Sequence, residues 1–368
     1  MIEEALKTTV QKIRDPYLEK EWGELGVIRS IEITPSNVLI RLKFSYPVST
    51  AYKEKVVSLI KTALASLVKP ELLEIEIDWK VNAHVAQGNL KGIPGVKNIL
   101  AVASGKGGVG KSTVSLNLAL ALQQMGARVG ILDADIYGPS QPIMLGVCEK
   151  PELREDKKFI PIVRYGLQSM SIGYLVDNDA AMIWRGPMVS SALQQLLTGT
   201  AWDNLDYLIV DLPPGTGDIQ LTLAQKIPVT GVVIVTTPQV VAISDAKKAC
   251  AMMQKLGITL LGVVENMSVH YCTACGHEEF IFGQDGAKAL SETYQIPLLA
   301  KLPLESSLRE SSDVGKPLIR ETSSSPIALS YQELAQKTVA VLSLTKRDFR
   351  VPVTMSMTSI RRSKINGY

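Results

Sequence analysis

Between residues 105 and 113 the chain reads Gly105-Lys106-Gly107-Gly108-Val109-Gly110-Lys111-Ser112-Thr113. No other stretch constrains the fold as much. Before it runs Asn98-Ile99-Leu100-Ala101-Val102-Ala103-Ser104, apolar and β-prone. After it, Val114, Leu118 and Leu122 fall at helical spacing. Strand, glycine loop and helix in that order are the setting of a phosphate-binding loop, and the match to G-x-x-x-x-G-K-[ST] is complete. Glycines let the backbone curl so that several N–H groups point inward at phosphate oxygens. The helix start adds the positive end of its dipole. Lys111 supplies a point charge for the β- and γ-phosphates, and Ser112 a hydroxyl for Mg²⁺.

Other strand-like runs end in polar residues. Ile131-Leu132-Asp133-Ala134-Asp135 places two carboxylates on one side of an extended segment. Leu208-Ile209-Val210-Asp211, followed by Leu212-Pro213-Pro214-Gly215-Thr216-Gly217-Asp218, is a Walker B arrangement. Its Asp211 is expected to hold Mg²⁺ opposite Ser112. The glycines after it permit a loop that senses the γ-phosphate. Glu265-Asn266-Met267-Ser268 follows a further run, and Cys272-Thr273-Ala274-Cys275 adds a C-x-x-C. Two thiolates alone leave a redox dithiol, a zinc site and an iron–sulfur site open.

The strands expected are Arg128–Asp133, Asp206–Asp211, Gly231–Thr237, Ile258–Val264 and Leu298–Leu302. They are continuous apolar runs, as in strands covered on both faces. An α/β class follows: a doubly wound, mostly parallel sheet with ligands at its carboxyl edge. Residues 1–81 read differently. Leu6, Val10 and Ile13 mark a helix stopped by Asp15-Pro16. Two alternating strands flank a turn at Pro35-Ser36-Asn37. A helix over Ala51–Leu67 and a strand from Leu73 to Trp79 complete α-β-β-α-β, a small α+β domain. Residues 82–97, with three glycines and a proline, read as a linker. The ATPase-type domain is expected over 98–345.

Lys106 is a second lysine, which an ordinary phosphate loop does not need. The form Gly105-Lys106-Gly107-Gly108-Val109-Gly110-Lys111-Ser112 resembles the deviant Walker A loop of the Mrp/ApbC, MinD, ParA and nitrogenase iron-protein ATPases. The resemblance implies a homodimer with two ATPs at its interface and Lys106 reaching the partner's nucleotide. It makes 131–140 a switch I, with Asp135 orienting or polarising the attacking water and Asp133, nearer the lysine–metal network, a further candidate for the Mg²⁺ site. It makes Asn266 the reader of the adenine amino group. With Trp184-Arg185-Gly186-Pro187-Met188, Cys275-Gly276-His277, Phe282-Gly283 and Asp313-Val314-Gly315-Lys316-Pro317, residues 99–342 closely resemble Mrp/ApbC iron–sulfur cluster carriers. The N-terminal segment resembles a MIP18-like domain, but Tyr46-Pro47 stands where many members have a cysteine before proline, so it reads as a docking module.

That resemblance implies a cluster on a two-fold axis. Each chain offers Cys272 and Cys275, and a symmetric dimer supplies the four thiolates of a [4Fe–4S] cluster. The implied partners are a second copy, iron–sulfur apoproteins and assembly factors. A dimer-bridging zinc and a redox dithiol stay as alternatives at the cysteines. At the level of function the alternative is a MinD- or ParA-like positioning ATPase.

Composition sets the remaining bounds. The chain is 46% hydrophobic and 20% charged, with net charge +3. Six basic residues (Lys346, Arg347, Arg350, Arg361, Arg362, Lys364) against Asp348 concentrate positive charge in a tail, 346–368, read as a solvated segment. The rest carries no basic footprint for nucleic acid. No apolar stretch is long enough to span a bilayer. An acidic start without an apolar core points to the cytoplasm. Four cysteines there argue against disulfides, and Cys148 and Cys250 read as ordinary buried residues.

Overall fold

The computed structural model describes residues 2–34, 36–176, 186–321 and 325–350. Pro35, Trp184, Arg185 and the tail residues Arg361, Arg362 and Lys364 lie outside the described residues.

The N-terminal unit runs α1 (Ile2–Gln11), α2 (Trp22–Leu25), β1 (Ile28–Ile33), β2 (Val38–Phe44), α3 (Thr50–Leu64) and β3 (Leu73–Trp79). Strand β1 pairs with β2 antiparallel, and β2 with β3 parallel. Val38, Ile40, Leu42 and Phe44 alternate along β2 and are all buried. They meet Tyr52, Val56 and Ile60 from one face of α3. The stop at Asp15-Pro16 is a closed turn: one Asp15 oxygen accepts from the Tyr17 and Leu18 amides at 2.9 and 3.0 Å. The other accepts from the Tyr52 hydroxyl. Tyr46 is buried beside it, its hydroxyl 3.3 Å from that of Tyr52.

The larger unit runs β4 (Val96–Ser104), α4 (Lys111–Gln124), β5 (Val129–Asp133), α5 (Gln141–Leu145), β6 (Ile162–Arg164), β7 (Leu167–Ser171), α6 (Gly186–Gly199), β8 (Leu205–Asp211), α7 (Asp218–Lys226), β9 (Gly231–Thr236) and α8 (Val240–Lys255). It continues through β10 (Leu260–Glu265), β11 (His270–Tyr271), β12 (Glu278–Glu279), α9 (Gly286–Tyr294), β13 (Leu298–Lys301), α10 (Ser306–Asp313), α11 (Leu318–Glu321) and α12 (Pro326–Leu342). Eight strands form one sheet in the order β13-β10-β9-β4-β8-β5-β7-β6. All its pairings are parallel except the β6–β7 hairpin. Every residue of β5, β8, β9 and β10 is buried, which explains why these strands are apolar without alternation.

Strand order reverses at β4: its successor β5 lies to one side, and β9, β10 and β13 to the other. That reversal opens a crevice beyond the carboxyl end of β4, where the glycine loop stands. Helix α4 is buried from Val114 to Leu122 all round, enclosed by the sheet and α12.

Three features depart from the sequence-based expectations. The β6–β7 hairpin was not foreseen. Its turn residues Tyr165 and Gly166 both have positive φ, 52° and 79°, the type I′ geometry that suits a two-residue hairpin. Cys148 is exposed, because the chain leaves α5 through Gly146 onto the surface; Cys250 is buried as expected. The start of the tail is exposed as expected at Lys346, Arg347 and Arg350, but its backbone is held in place. The Val85 amide donates to the Lys346 carbonyl, and the Asp348 amide to the Ala83 carbonyl, both at 2.8 Å, with a β-bridge between His84 and Arg347.

Residues 82–97 are likewise held by contacts. Gln87 is buried, and its Nε2 donates to the carbonyls of Ala224 and Ile227 at the end of α7. Its amide donates to the Val229 carbonyl at 3.0 Å. The small sheet unit docks on α12. Buried Gln336 accepts from the Ser49 amide at 2.8 Å and donates to the Pro47 carbonyl at 3.2 Å. Lys337 lies 5.7 Å from the centroid of the Tyr17 ring.

Candidate functional site

The loop Gly105–Gly110 turns from β4 into α4. Gly108 and Gly110 have φ of 80° and 81°, a region side chains avoid. At Gly110 a Cβ would also stand 2.2 Å from Asn266 Nδ2. That nitrogen donates to the Val109 carbonyl at 2.9 Å, so Asn266, at the end of β10, braces the loop from the side. At Gly105 a Cβ would stand 2.1 Å from the Asp245 carbonyl carbon, because α8 packs directly against the loop. The hydroxyl of Ser104 donates to the Lys106 carbonyl at 2.9 Å, closing the turn. Thr113 lies in the first turn of α4, where its carbonyl accepts from Asn117 at 2.8 Å.

The charged groups Lys111 and Asp211 meet beside Ser112. Lys111 is buried, and its ammonium pairs with Asp211 at the end of β8 and lies 3.2 Å from Ser112 Oγ. Ser115 Oγ donates to the same Asp211 oxygen at 2.9 Å. Gln141 Nε2 reaches the other Asp211 oxygen at 3.0 Å. Sequence reasoning did not single out Gln141, because no local motif marks it.

Asp133, at the end of β5, is fully buried and surrounded by donors. It accepts from the amides of Asp135, Ser140 and Gln141 at 3.2, 3.0 and 3.0 Å, and from Ser171 Oγ at 3.2 Å. These bonds shape the loop that carries Asp135. Burial, and then the charge of Asp211, push Asp133 up to about 7 against the pull of its amides and of Lys111. Asp135 is half-buried, and desolvation raises its carboxyl while the Lys111 charge opposes the shift.

A hard cation fits this donor set. Ser112 and Asp211 offer oxygens beside the phosphate loop, which suits Mg²⁺. Lys106 is half-buried, and its ammonium makes no ion pair or hydrogen bond among the described residues.

The cysteines stand on a separate small hairpin. Strands β11 and β12 pair antiparallel, His270 opposite Glu279 and Tyr271 opposite Glu278. The Cys272 amide donates to the His277 carbonyl at 2.9 Å, and the Gly276 amide to the Cys272 carbonyl at 2.8 Å. Cys275 is exposed and Cys272 half-buried; His277 is exposed. The N–H groups of Ala274 and then Cys275 point at the Cys272 sulfur and hold its thiol below the ordinary value. Among the described residues no group of three or more His, Cys, Asp or Glu could hold a metal ion within one chain. Tyr271, Phe280 and Ile281, close in sequence to the cysteines, are exposed.

Phosphate loop, Walker B aspartate and doubly wound sheet define a P-loop ATPase. The family described as ParA, the NUBPL iron-transfer P-loop NTPases, matches residues 95–339. An iron-sulfur cluster carrier protein of Pseudomonas fragi is 55% identical over 279 residues, 75% of this chain and 97% of its own. The carrier of Escherichia coli K12 is 47% identical over 343 residues, 91% and 90% of the two chains. The iron-sulfur cluster transfer protein NUBPL of Mus musculus is 47% identical over 68% of this chain and 79% of its own. The chain belongs to the NUBPL iron-transfer P-loop NTPase family. Among solved structures, a nucleotide-binding protein of Archaeoglobus fulgidus in complex with ADP superposes with TM-score 0.54 at 38% identity, covering 60% of this chain and 88% of that one. The cell division ATPase MinD of Pyrococcus furiosus superposes with TM-score 0.51 at 21% identity, over 66% of this chain and 99% of its own. That second likeness is one of fold.

Proposed function

We propose that this protein is an ATP-dependent carrier that binds a [4Fe–4S] cluster between two copies of the chain and passes it to apoproteins. The observation that carries the reading is the hairpin tip. An exposed Cys275 and a half-buried Cys272 sit there side by side, the latter eased toward thiolate by backbone N–H groups. A cluster takes four such ligands. Two hairpins related by a two-fold axis supply them, and an exposed shared site suits a cargo that must leave.

The nucleotide site is tied to that tip by covalent continuity. Asn266 grips the phosphate loop, and Cys272 follows it through a few residues of chain. Movement of the loop on hydrolysis is therefore passed to the hairpin. Asn266 is at once a brace and, through the rest of its carboxamide, the candidate contact for adenine. Ser112 and Asp211 would hold Mg²⁺, with Asp133 shaping the loop beside them. The ion supplies charge neutralisation at the phosphates. Lys111 binds the β- and γ-phosphates of its own nucleotide. Asp135 orients the attacking water. Lys106, whose ammonium has no partner among the described residues, reaches the nucleotide of the second copy. The names of the curated relatives support this reading over a positioning ATPase, since the MinD likeness extends to fold alone.

Anaerobic reconstitution tests the proposal. About four iron and four sulfide per two chains are expected. Cys272→Ser and Cys275→Ser should each abolish loading, since either removes two of the four ligands, while Cys148→Ser and Cys250→Ser load normally. Protein that takes up about one zinc per two chains and no sulfide would replace the carrier with a structural Cys₄ site.

A further inference from the structure

Gln141 opens α5 and is 1% exposed. Its Nε2 donates to the Ser112 carbonyl at 3.1 Å and to Asp211 Oδ2 at 3.0 Å. Its backbone amide donates to Asp133 Oδ2 at 3.0 Å. One residue thus joins the phosphate loop, the Walker B strand and the loop after β5. A carboxamide can often be placed either way round. Here the orientation is forced, because the reverse would set Oε1 against a carbonyl and a carboxylate, two acceptors with no proton between them. Both protons of Nε2 are committed. Oε1 is buried and has no partner among the described residues. A buried acceptor without a donor is uncommon and calls for a cause. The cause is that the two bonds of the nitrogen decide where this carboxamide sits.

The opposite Asp211 oxygen is held by Lys111 and Ser115. Lys111 is the partner that phosphate draws away, since its ammonium is the counter-charge of the nucleotide. Ser115 and Gln141 then remain. Ser115 belongs to α4 itself, so Gln141 is the contact that makes the carboxylate answer to the switch I side.

We propose that Gln141 is a positioning residue of the magnesium–phosphate site. It acts through Asp211, holding that carboxylate against the Ser112 segment and coupling its orientation to the loop shaped by Asp133. The proposal rests on the placement of Mg²⁺ beside Ser112 and Asp211 given above.

Fluorescent ADP binding, titrated with Mg²⁺, tests it on wild type, Gln141→Leu and Gln141→Met. Without Mg²⁺ all three should bind ADP within about threefold of one another. The Mg²⁺ concentration giving half of the added tightening should rise about tenfold in both variants, as befits loss of a hydrogen bond to a charged group. An unchanged half-point overturns the proposal even if the variants melt at lower temperature, because a packing role lowers stability without altering the response to the ion. Wild type that ignores Mg²⁺ overturns the metal placement, and this proposal with it. Should neither variant fold, hydrogen exchange on wild type decides. Adding Mg²⁺ to the ADP-bound protein must slow exchange at 140–145 as well as at 111–115, and slowing confined to the second segment overturns the proposal.

Discussion

Lys106 and Lys111 carry the same charge within one loop, yet their settings differ. Lys111 is buried against Asp211, whereas the Lys106 ammonium has no partner among the described residues. Lys111→Ala should weaken nucleotide binding by about 30-fold or more, the loss of a charge-assisted contact. Lys106→Ala should leave binding within about threefold and lower hydrolysis by roughly 100-fold, as when one transition-state donor is removed. Equal losses of affinity in both variants would rule out action on the second copy's nucleotide. Lys111, Ser112 and Asp211 were legible in the sequence because phosphate and metal chemistry demands those residue types at fixed spacing. Gln141 was not, since its role arises where three distant segments meet. Cys148 was misjudged for a similar reason: small apolar character argues for burial, but the path of the chain after α5 decides it.

Elements position these residues through close backbone contact. Helix α8 lies so near the phosphate loop that Gly105 has no room for a Cβ. Gly105→Ala must push loop and helix apart, at a cost of roughly 1–3 kcal/mol. Its expected signature is a loss of ADP affinity of tenfold or more, with a fall of only a few degrees in melting temperature. Retention of full affinity would show that the loop can slide along α8 without consequence. The parallel strands were readable because burial on both faces erases alternation. The β6–β7 hairpin was missed because its strands are only three and five residues long. The signal that could have revealed it is Tyr165-Gly166, a turn pair between short β-prone runs.

Across the whole molecule, the N-terminal sheet unit docks on α12, and the connecting segment pairs at 83–85 with 346–348. His84 is buried at the second junction, its Nδ1 3.0 Å from Asn98 Oδ1. Burial lowers its pKa, and the neighbouring Arg347 adds to the effect; Lys97 and Asp206 pair with each other on the adjoining strands. A histidine kept neutral by folding contributes stability above its unfolded value of about 6.5, and that contribution is lost as pH falls below it. The urea midpoint should therefore drop between pH 7 and 5.5 more steeply in wild type than in His84→Gln. Parallel curves for the two proteins would remove His84 as the cause. None of this junction was visible in the sequence, where glycines and a proline in 82–97 and a cluster of basic residues each suggested slack chain.

The grip of Gln87 on the end of α7 limits how modular the molecule is. The segment that leads from one sheet to the other also closes the helix that begins just past the Walker B loop. A chimera that exchanges the N-terminal unit cannot place its seam freely between 82 and 97. It must keep residues 83–87 with the larger unit, together with 346–348, and match Pro47 and Ser49 to Gln336.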